Sequence, residues 1–393
     1  MSTNDSLHRR IRDVRREKTI ADPDFRFGRR ACLVGAVAVA TGAIPRWCRG
    51  QTPSGDNRVS IDPSALYSPD QIDQSVSAAI DYLVRTQRED GSIADRGHEI
   101  AMTSLAIMSM ASIGVLPGSS DPRGRAMDRA IEYVLRGDKQ DPQGYFGRAD
   151  SSRMYGHGIT TLMLTEILGM GSSVEQNRRI HDALEKAIAL ILASQKVHKD
   201  SQHQGGWRYS PDSRDSDLSI TVWQVMALRS ANNDGLSVPG EAIEQAVKYL
   251  ENSFAKVGSR GDRMLGGFAY TPGSNHPTFP MTSAGLLAMQ VCGRYDSPMV
   301  QAAADWLLSN GPEGSTRFLF YGLYYYAQGM HQYGGRHAET AEKVAIKWLL
   351  PTQRGDGAFE GQREERNSGA VYSTAMAVLS LTVRYHYLPI YQR

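Results

Sequence analysis

One unit is written six times along this chain, and that repetition limits the fold more than any single motif. The pattern Ala–apolar–x–aromatic–apolar returns as AAIDYL (78–83), RAIEYV (129–134), KAIALI (186–191), QAVKYL (245–250), AAADWL (302–307) and VAIKWL (344–349). Its fourth slot after the alanine-led start falls at Tyr82, Tyr133, Leu190, Tyr249, Trp306 and Trp348, a period of about fifty residues. Each copy is amphipathic. In QSVSAAIDYLVRTQ, Val76, Ala79, Ile80 and Leu83 share one helical face, with Asp81 and Arg85 off it.

A second kind of text alternates with the first. MTSLAIMSM from Met102, GITTLMLTE from Gly158, SITVWQVMAL from Ser219, MTSAGLLAM from Met281, FYGLYYYA from Phe320 and YSTAMAVLSL from Tyr372 are apolar almost all round. A helix of that kind must be covered on every side. Amphipathic helices outside and apolar helices inside, six of each, predict an all-α (α/α)6 toroid. An open superhelix of helix pairs is the competitor. Closure is favoured because an open stack would expose a large apolar concave face.

Between the two helices of a unit sits Gln-x-x-x-Gly-x-aromatic or aliphatic. It reads Gln87–Gly91–Ile93, Gln140–Gly144–Phe146 and Gln353–Gly357–Phe359. Copies three and four keep only GGWRY (205–209) and GGFAY (266–270), and copy five has lost the motif.

Residues 1–50 differ from the rest. They hold eleven Lys/Arg against five Asp/Glu, so the remainder is slightly acidic and the net charge of +2 misleads. Nothing in the body points to nucleic acid. Arg29-Arg30-Ala31-Cys32-Leu33 precedes the apolar run VGAVAVATGAI, too short for a bilayer span. This resembles a twin-arginine export signal, which implies a periplasmic or extracellular protein; an uncleaved N-terminal anchor is the alternative. The domain reading is a head over 1–50, a linker over 51–69 and the toroid over 70–393. Cleavage near Gln51 would leave Cys292 as the lone cysteine, so the expected fold carries no disulfide.

The Gln-x-x-x-Gly-x-aromatic unit, placed after an amphipathic helix and before an apolar one, resembles the repeat of squalene cyclases and of protein prenyltransferase β subunits. The resemblance runs over residues 70–388. It implies a scaffold in which the Gln and the ring tie neighbouring outer helices. It also implies two chemistries to test. Cyclases of that family carry Asp-x-Asp-Asp and then Thr at the start of an inner helix. Here Asp215-Ser216-Asp217-Leu218-Ser219 stands in that place, with Asp217 matching the proton donor, Asp215 its partner, and Leu218 replacing the last aspartate. Such an acid must be protonated in a dry site. An aspartate there also caps the helix whatever else it does. The prenyltransferase zinc pattern is absent: Cys292 follows Gln290-Val291, and His276 and His331 are loose candidates, so neither a metal nor a cofactor is expected. The thioester domain of complement-like proteins is excluded as well, since Cys292-Gly293-Arg294-Tyr295 replaces its motif.

Further candidates lie at inner-helix starts. Tyr155 and His157 precede the second, and His98 and Glu99 precede the first. If the inner helices run alike, their N-termini share a rim whose field suits an anionic group. Tyr321, Tyr324 and Tyr325 share one helical face and, with Trp223, could line a cavity. The expected ligand is an apolar isoprenoid or lipid in the central cavity, with acid chemistry at Asp217 as an extension. Peripheral membrane contact fits the same ligand class. A non-catalytic interaction scaffold and a carbohydrate lyase or hydrolase on the same fold are the rivals.

Overall fold

The alternation of amphipathic and apolar text becomes an alternation of outer and inner helices. The computed structural model describes residues 69–385 and 387–391; the basic head and the linker lie outside them. The outer helices are α1 (Pro69–Arg85), α3 (Pro122–Val134), α5 (Val174–Gln195), α7 (Gly240–Asn252), α9 (Pro298–Ser309) and α11 (Gly335–Leu349). The inner helices are α2 (Glu99–Ala111), α4 (Arg153–Glu166), α6 (Leu218–Asn233), α8 (Phe279–Val291), α10 (Leu319–Tyr333) and α12 (Gly369–Leu381). Each inner helix packs on the next, from α2 through α12, and α12 packs back on α2. The ring is closed, and the open superhelix is not formed. Covering follows pattern: α2 buries every residue from Ile100 to Ala111, whereas α7 buries only the stripe Ala242, Ile243, Ala246, Val247, Tyr249 and Leu250. No described helix is long and apolar enough to cross a membrane.

The repeated motif has a precise job in the ring. The side-chain amide of Gln87 donates to Gly91 O (3.0 Å) within its own turn and to Ala126 O (2.8 Å) on the next outer helix. Gln140 does the same to Gly144 and Ala183, and Gln353 to Gly357 and Ser75. The last of these joins unit six to unit one. Copy three uses Gln195, which reaches Gly205 O (2.9 Å) and Ala242 O (2.8 Å) across a loop of ten residues. The stretched spacing in the sequence hid a tie that the structure keeps. The glycine is required at this position. Gly91, Gly144, Gly205 and Gly357 all have φ near +90°, and a Cβ there would collide with a carbonyl oxygen of the next outer helix.

A third tie runs inward. The backbone N–H of the motif's last residue donates to a threonine hydroxyl at the start of the inner helix: Ile93 to Thr103 (2.9 Å), Trp207 to Thr221 (3.0 Å), Phe268 to Thr282 (3.1 Å) and Phe359 to Thr374 (2.9 Å). One departure from all-α interrupts copy four. Strands β1 (Phe254–Arg260) and β2 (Arg263–Phe268) form an antiparallel hairpin around Gly261-Asp262, a two-residue turn of the kind that sequence pair favours. It separates α7 from the GGFAY segment, which is why no glutamine stands four residues upstream.

The two ends of the ring differ. At the C-terminal ends of the inner helices the tail turns inward: Leu388 and Ile390 are buried, and Ile390 N–H donates to the buried carboxylate of Glu166 (3.3 Å). Beside it a cleft of about 170 Å³ is lined by Ile72, Ala327, His331, Ile346 and Leu381. The other end carries the candidate site.

Candidate functional site

The N-terminal ends of the inner helices meet at one rim, and four of those six ends are held by carboxylates. Asp150 accepts from Ile100 and Ala101 N–H of α2 (2.9 and 3.2 Å). Asp95 accepts from Ala370 and Val371 N–H of α12, and Glu365 from Phe320 and Tyr321 N–H of α10, both at 3.0 Å. Asp217 caps its own helix α6 through Ile220 N–H (3.0 Å). Helix N-termini favour carboxyl oxygens, and here the protein's own side chains occupy four of the six. The expectation of a field that favours an anionic ligand is corrected accordingly.

Asp217 is fully buried. Its Oδ1 accepts from Ser219 Oγ (2.6 Å) and Ile220 N–H, while its Oδ2 has no hydrogen-bond partner. Burial is the largest influence and raises its pKa above the usual carboxylate range, against those two hydrogen bonds and the Arg208 guanidinium. Three phenols lie around this cap. Tyr321 OH donates to Ser219 O (3.3 Å), Tyr155 lies beside Ser219, and Tyr372 lies within electrostatic reach of Tyr155 and Glu365. Tyr155 and Tyr372 keep part of their surface exposed, whereas Tyr321 keeps 7%. Burial lifts all three phenols well above their ordinary range, so they are neutral hydrogen-bonding groups.

Trp223, Tyr324 and Tyr325 lie deeper. Trp223 stacks on Tyr324 (centroids 5.6 Å, 11° between planes) and meets Tyr325 edge-on at 5.7 Å, and Tyr325 meets Tyr321 at 4.8 Å. All three of the deeper rings are buried to within about one per cent. They fill the ring at this level rather than lining an open cavity, because aromatic faces gain more from each other than from a void. The indole N–H of Trp223 has no acceptor.

His157 does not join Asp217. Its Nδ1 accepts from Phe146 N–H (3.4 Å) and its Nε2 donates to Ala187 O (3.1 Å) on the outer helix α5. It occupies in copy two the place that threonine holds in copies one, three, four and six, and burial pushes its pKa down to about 4. It is a packing histidine whose ring faces outward from the ring's axis. Asp215 is exposed and touches the site only through Arg208. His98 caps nothing with its side chain and bonds Asp150 O through Nδ1 (3.0 Å). His276 sits in the rim loop before α8 and His331 in the last turn of α10, so they do not meet. Cys292 ends α8, and burial pushes its thiol up to about 12.

Sequence reasoning missed Glu365, Asp95, Asp150 and Arg208. A faint signal exists for the first three: an acidic residue follows the motif's last residue before the next inner helix. Glu365 has a measurable consequence. Burial raises its pKa from 4.5 to about 7 despite the backbone N–H donors. A raised carboxyl binds its proton more tightly when folded. Its contribution is therefore fully present below about pH 4.5 and is lost as pH rises through about 7. Against a Glu365→Gln variant, wild-type unfolding free energy should fall by about 3 kcal/mol over that window and stay level above it. Parallel denaturation curves across the range would refute this pKa.

The model described as "Prenyltransferase alpha-alpha toroid domain" matches residues 64–152, 126–265 and 309–390. Drimenyl diphosphate synthase of Streptomyces showdoensis is 30% identical over 188 residues, which is 47% of this chain and 31% of that protein. The chain thus spans about a third of that curated relative's length. A type II terpene cyclase from Scytonema, solved with geranylgeranyl dihydroxybenzoate, superposes with TM-score 0.51 at 16% identity, covering 81% of this chain and 98% of that one. An alpha-1,6-mannanase of Salegentibacter superposes with TM-score 0.55 at 9% identity, covering 80% and 99%. At these identities both structures share the fold alone.

Proposed function

We propose that this chain, which belongs to the prenyltransferase alpha-alpha toroid family, holds an apolar isoprenoid-like molecule at the rim where its inner helices begin, and protonates it from Asp217. One observation carries the reading. Asp217 is a fully buried carboxyl with one oxygen saturated by Ser219 and Ile220 and the other without a hydrogen bond, 3.5 Å from Arg208 Nη1 and beside neutral phenols. A protonated carboxyl needs one free oxygen to deliver a proton, and an alkene accepts it only where water is excluded. Aromatic faces then stabilise the cation that forms. The names of the relatives, one a drimenyl diphosphate synthase and one a type II terpene cyclase, support the substrate class. Because Trp223, Tyr324 and Tyr325 pack against one another in the centre, the ligand in this reading lies against Tyr155, Tyr321 and Tyr372, and deeper entry would require that stack to part.

The test is incubation of the purified chain with geranylgeranyl diphosphate, wild type beside Asp217→Asn, with extraction and mass spectrometry for cyclised product. No product from either protein would leave the non-catalytic scaffold. The mannanase likeness gives a second reading, carbohydrate hydrolysis, which would need two carboxylates flanking one bond. An inactive form of that mannanase carries replacements at two successive aspartates, and no two aspartates are successive anywhere in this chain.

Export by the twin-arginine-like head remains part of the proposal. Replacing Arg29 and Arg30 by lysine should leave the full-length chain in the cytoplasm when cell fractions are probed by antibody. Unchanged fractionation would remove the signal from the reading.

A further inference from the structure

We propose that Arg208 is a shared cation that governs the proton on Asp217: its guanidinium is divided between Asp215 and Asp217, and its position decides whether Asp217 keeps its proton. The proposal rests on the acid reading of Asp217 and names what controls that acid. The geometry is specific. Asp217 N–H donates to Trp207 O (3.0 Å), which fixes the next residue, Arg208, beside the cap of α6. From there Arg208 Nε lies 3.5 Å from Asp215 Oδ2, and its Nη1 lies 3.5 Å from Asp217 Oδ2. Both separations exceed a good charge-assisted hydrogen bond, so the cation is committed to neither partner. Tyr209 and Tyr270 flank it, with their centroids 5.2 and 5.7 Å from the guanidinium carbon and their hydroxyls joined at 2.9 Å. Two aromatic faces give the guanidinium a track along which it can slide while keeping its cation–π attraction.

The remaining surroundings of Asp217 are neutral. Ser219 and Ile220 on α6 donate to Oδ1. Tyr155 from α4, Tyr249 from α7, Tyr270 after β2 and Tyr321 from α10 all feel its charge, and burial holds each phenol in its uncharged form. Arg208 is the full charge acting on Asp217 among the described groups. Moving it toward Asp215, which is half exposed, frees Asp217 to hold its proton. Moving it toward Asp217 discharges the acid. The missing fourth position of the family's acidic motif, where Leu218 stands, leaves no second buried carboxylate to do this tuning.

The experiment is an infrared pH titration of the carboxyl C=O stretch on the full chain without substrate. Asp217 is the band lost in Asp217→Asn, and Glu365→Gln and Glu166→Gln identify the bands of the other two buried carboxyls. Asp215→Asn, at an exposed position, commits the cation to Asp217 and should lower the Asp217 midpoint by about one pH unit. Arg208→Gln should raise it by about one unit or more. An unmoved midpoint in Asp215→Asn would show that the cation is not shared, and one unmoved or lowered in Arg208→Gln would show that it does not act on Asp217. Because no substrate is present, midpoints that shift while geranylgeranyl diphosphate is not turned over would sink the cyclase reading and leave this one standing. Turnover with fixed midpoints would do the reverse.

Discussion

Alanine at Gly205 should cost about 3 to 5 kcal/mol of stability. Two causes add. Gly205 has φ +93°, a region in which an L side chain is strained by about 1 to 2 kcal/mol. Its Cβ would also strike the carbonyl oxygen of Gln245 on α7, a helix that Gln195 ties to this same turn through Ala242. Relief requires the outer helix to move, and moving it breaks a hydrogen bond worth about 1 kcal/mol. Gly235 provides the control. It has φ +85° with open space around it, so Gly235→Ala isolates the backbone strain at about 1 kcal/mol. Denaturant unfolding of both variants measures the difference. Equal losses would mean that the turn does not press against its neighbour.

Asp217→Asn should lower cyclised product by about a hundredfold to ten-thousandfold, the range lost when a positioned general acid is removed. The substitution suits the question because asparagine remains a good N-cap. Its side-chain oxygen can still accept from Ile220 N–H and Ser219, so the unfolding free energy should stay within about 1 kcal/mol of wild type. A loss of activity with the fold intact assigns the proton to Asp217. A loss of both would make the residue a cap whose removal disorders the rim, and retained activity would place the acid elsewhere. Glu365 is then the next group to test, since burial also keeps its proton on near neutral pH.

The architecture was legible because a repeat states its own packing six times. The amphipathic and apolar texts named outer and inner helices, and the motif's glycine announced a turn that no side chain could occupy. The hairpin of copy four was not legible, since its turn is one short local signal inside a helical pattern. The rim was legible only in part. Asp217 caps its own helix, so sequence neighbours suffice to see it. Asp95, Asp150 and Glu365 cap helices belonging to neighbouring units, a pairing that exists only after the ring forms. His157 shows the opposite error. A histidine at a helix start invites a chemical role, but the N–H of Phe146 reveals it as the local substitute for a threonine. The tyrosines of α10 were placed on one face correctly, yet periodicity cannot say whether such a face borders space or other rings.

The bond from Gln353 to Ser75 spans 278 residues of chain. It turns a row of units into a circuit. A row has two terminal members, each with a single neighbour, and these fray first and need polar caps. Here every unit has two neighbours, so there is no weakest end at which loosening begins. Opening the assembly means parting two interfaces somewhere, and the same rule applies during synthesis. Until the last copy is made, the first has an uncovered flank, and the rim around Asp217 is held by a structure still missing one of its walls.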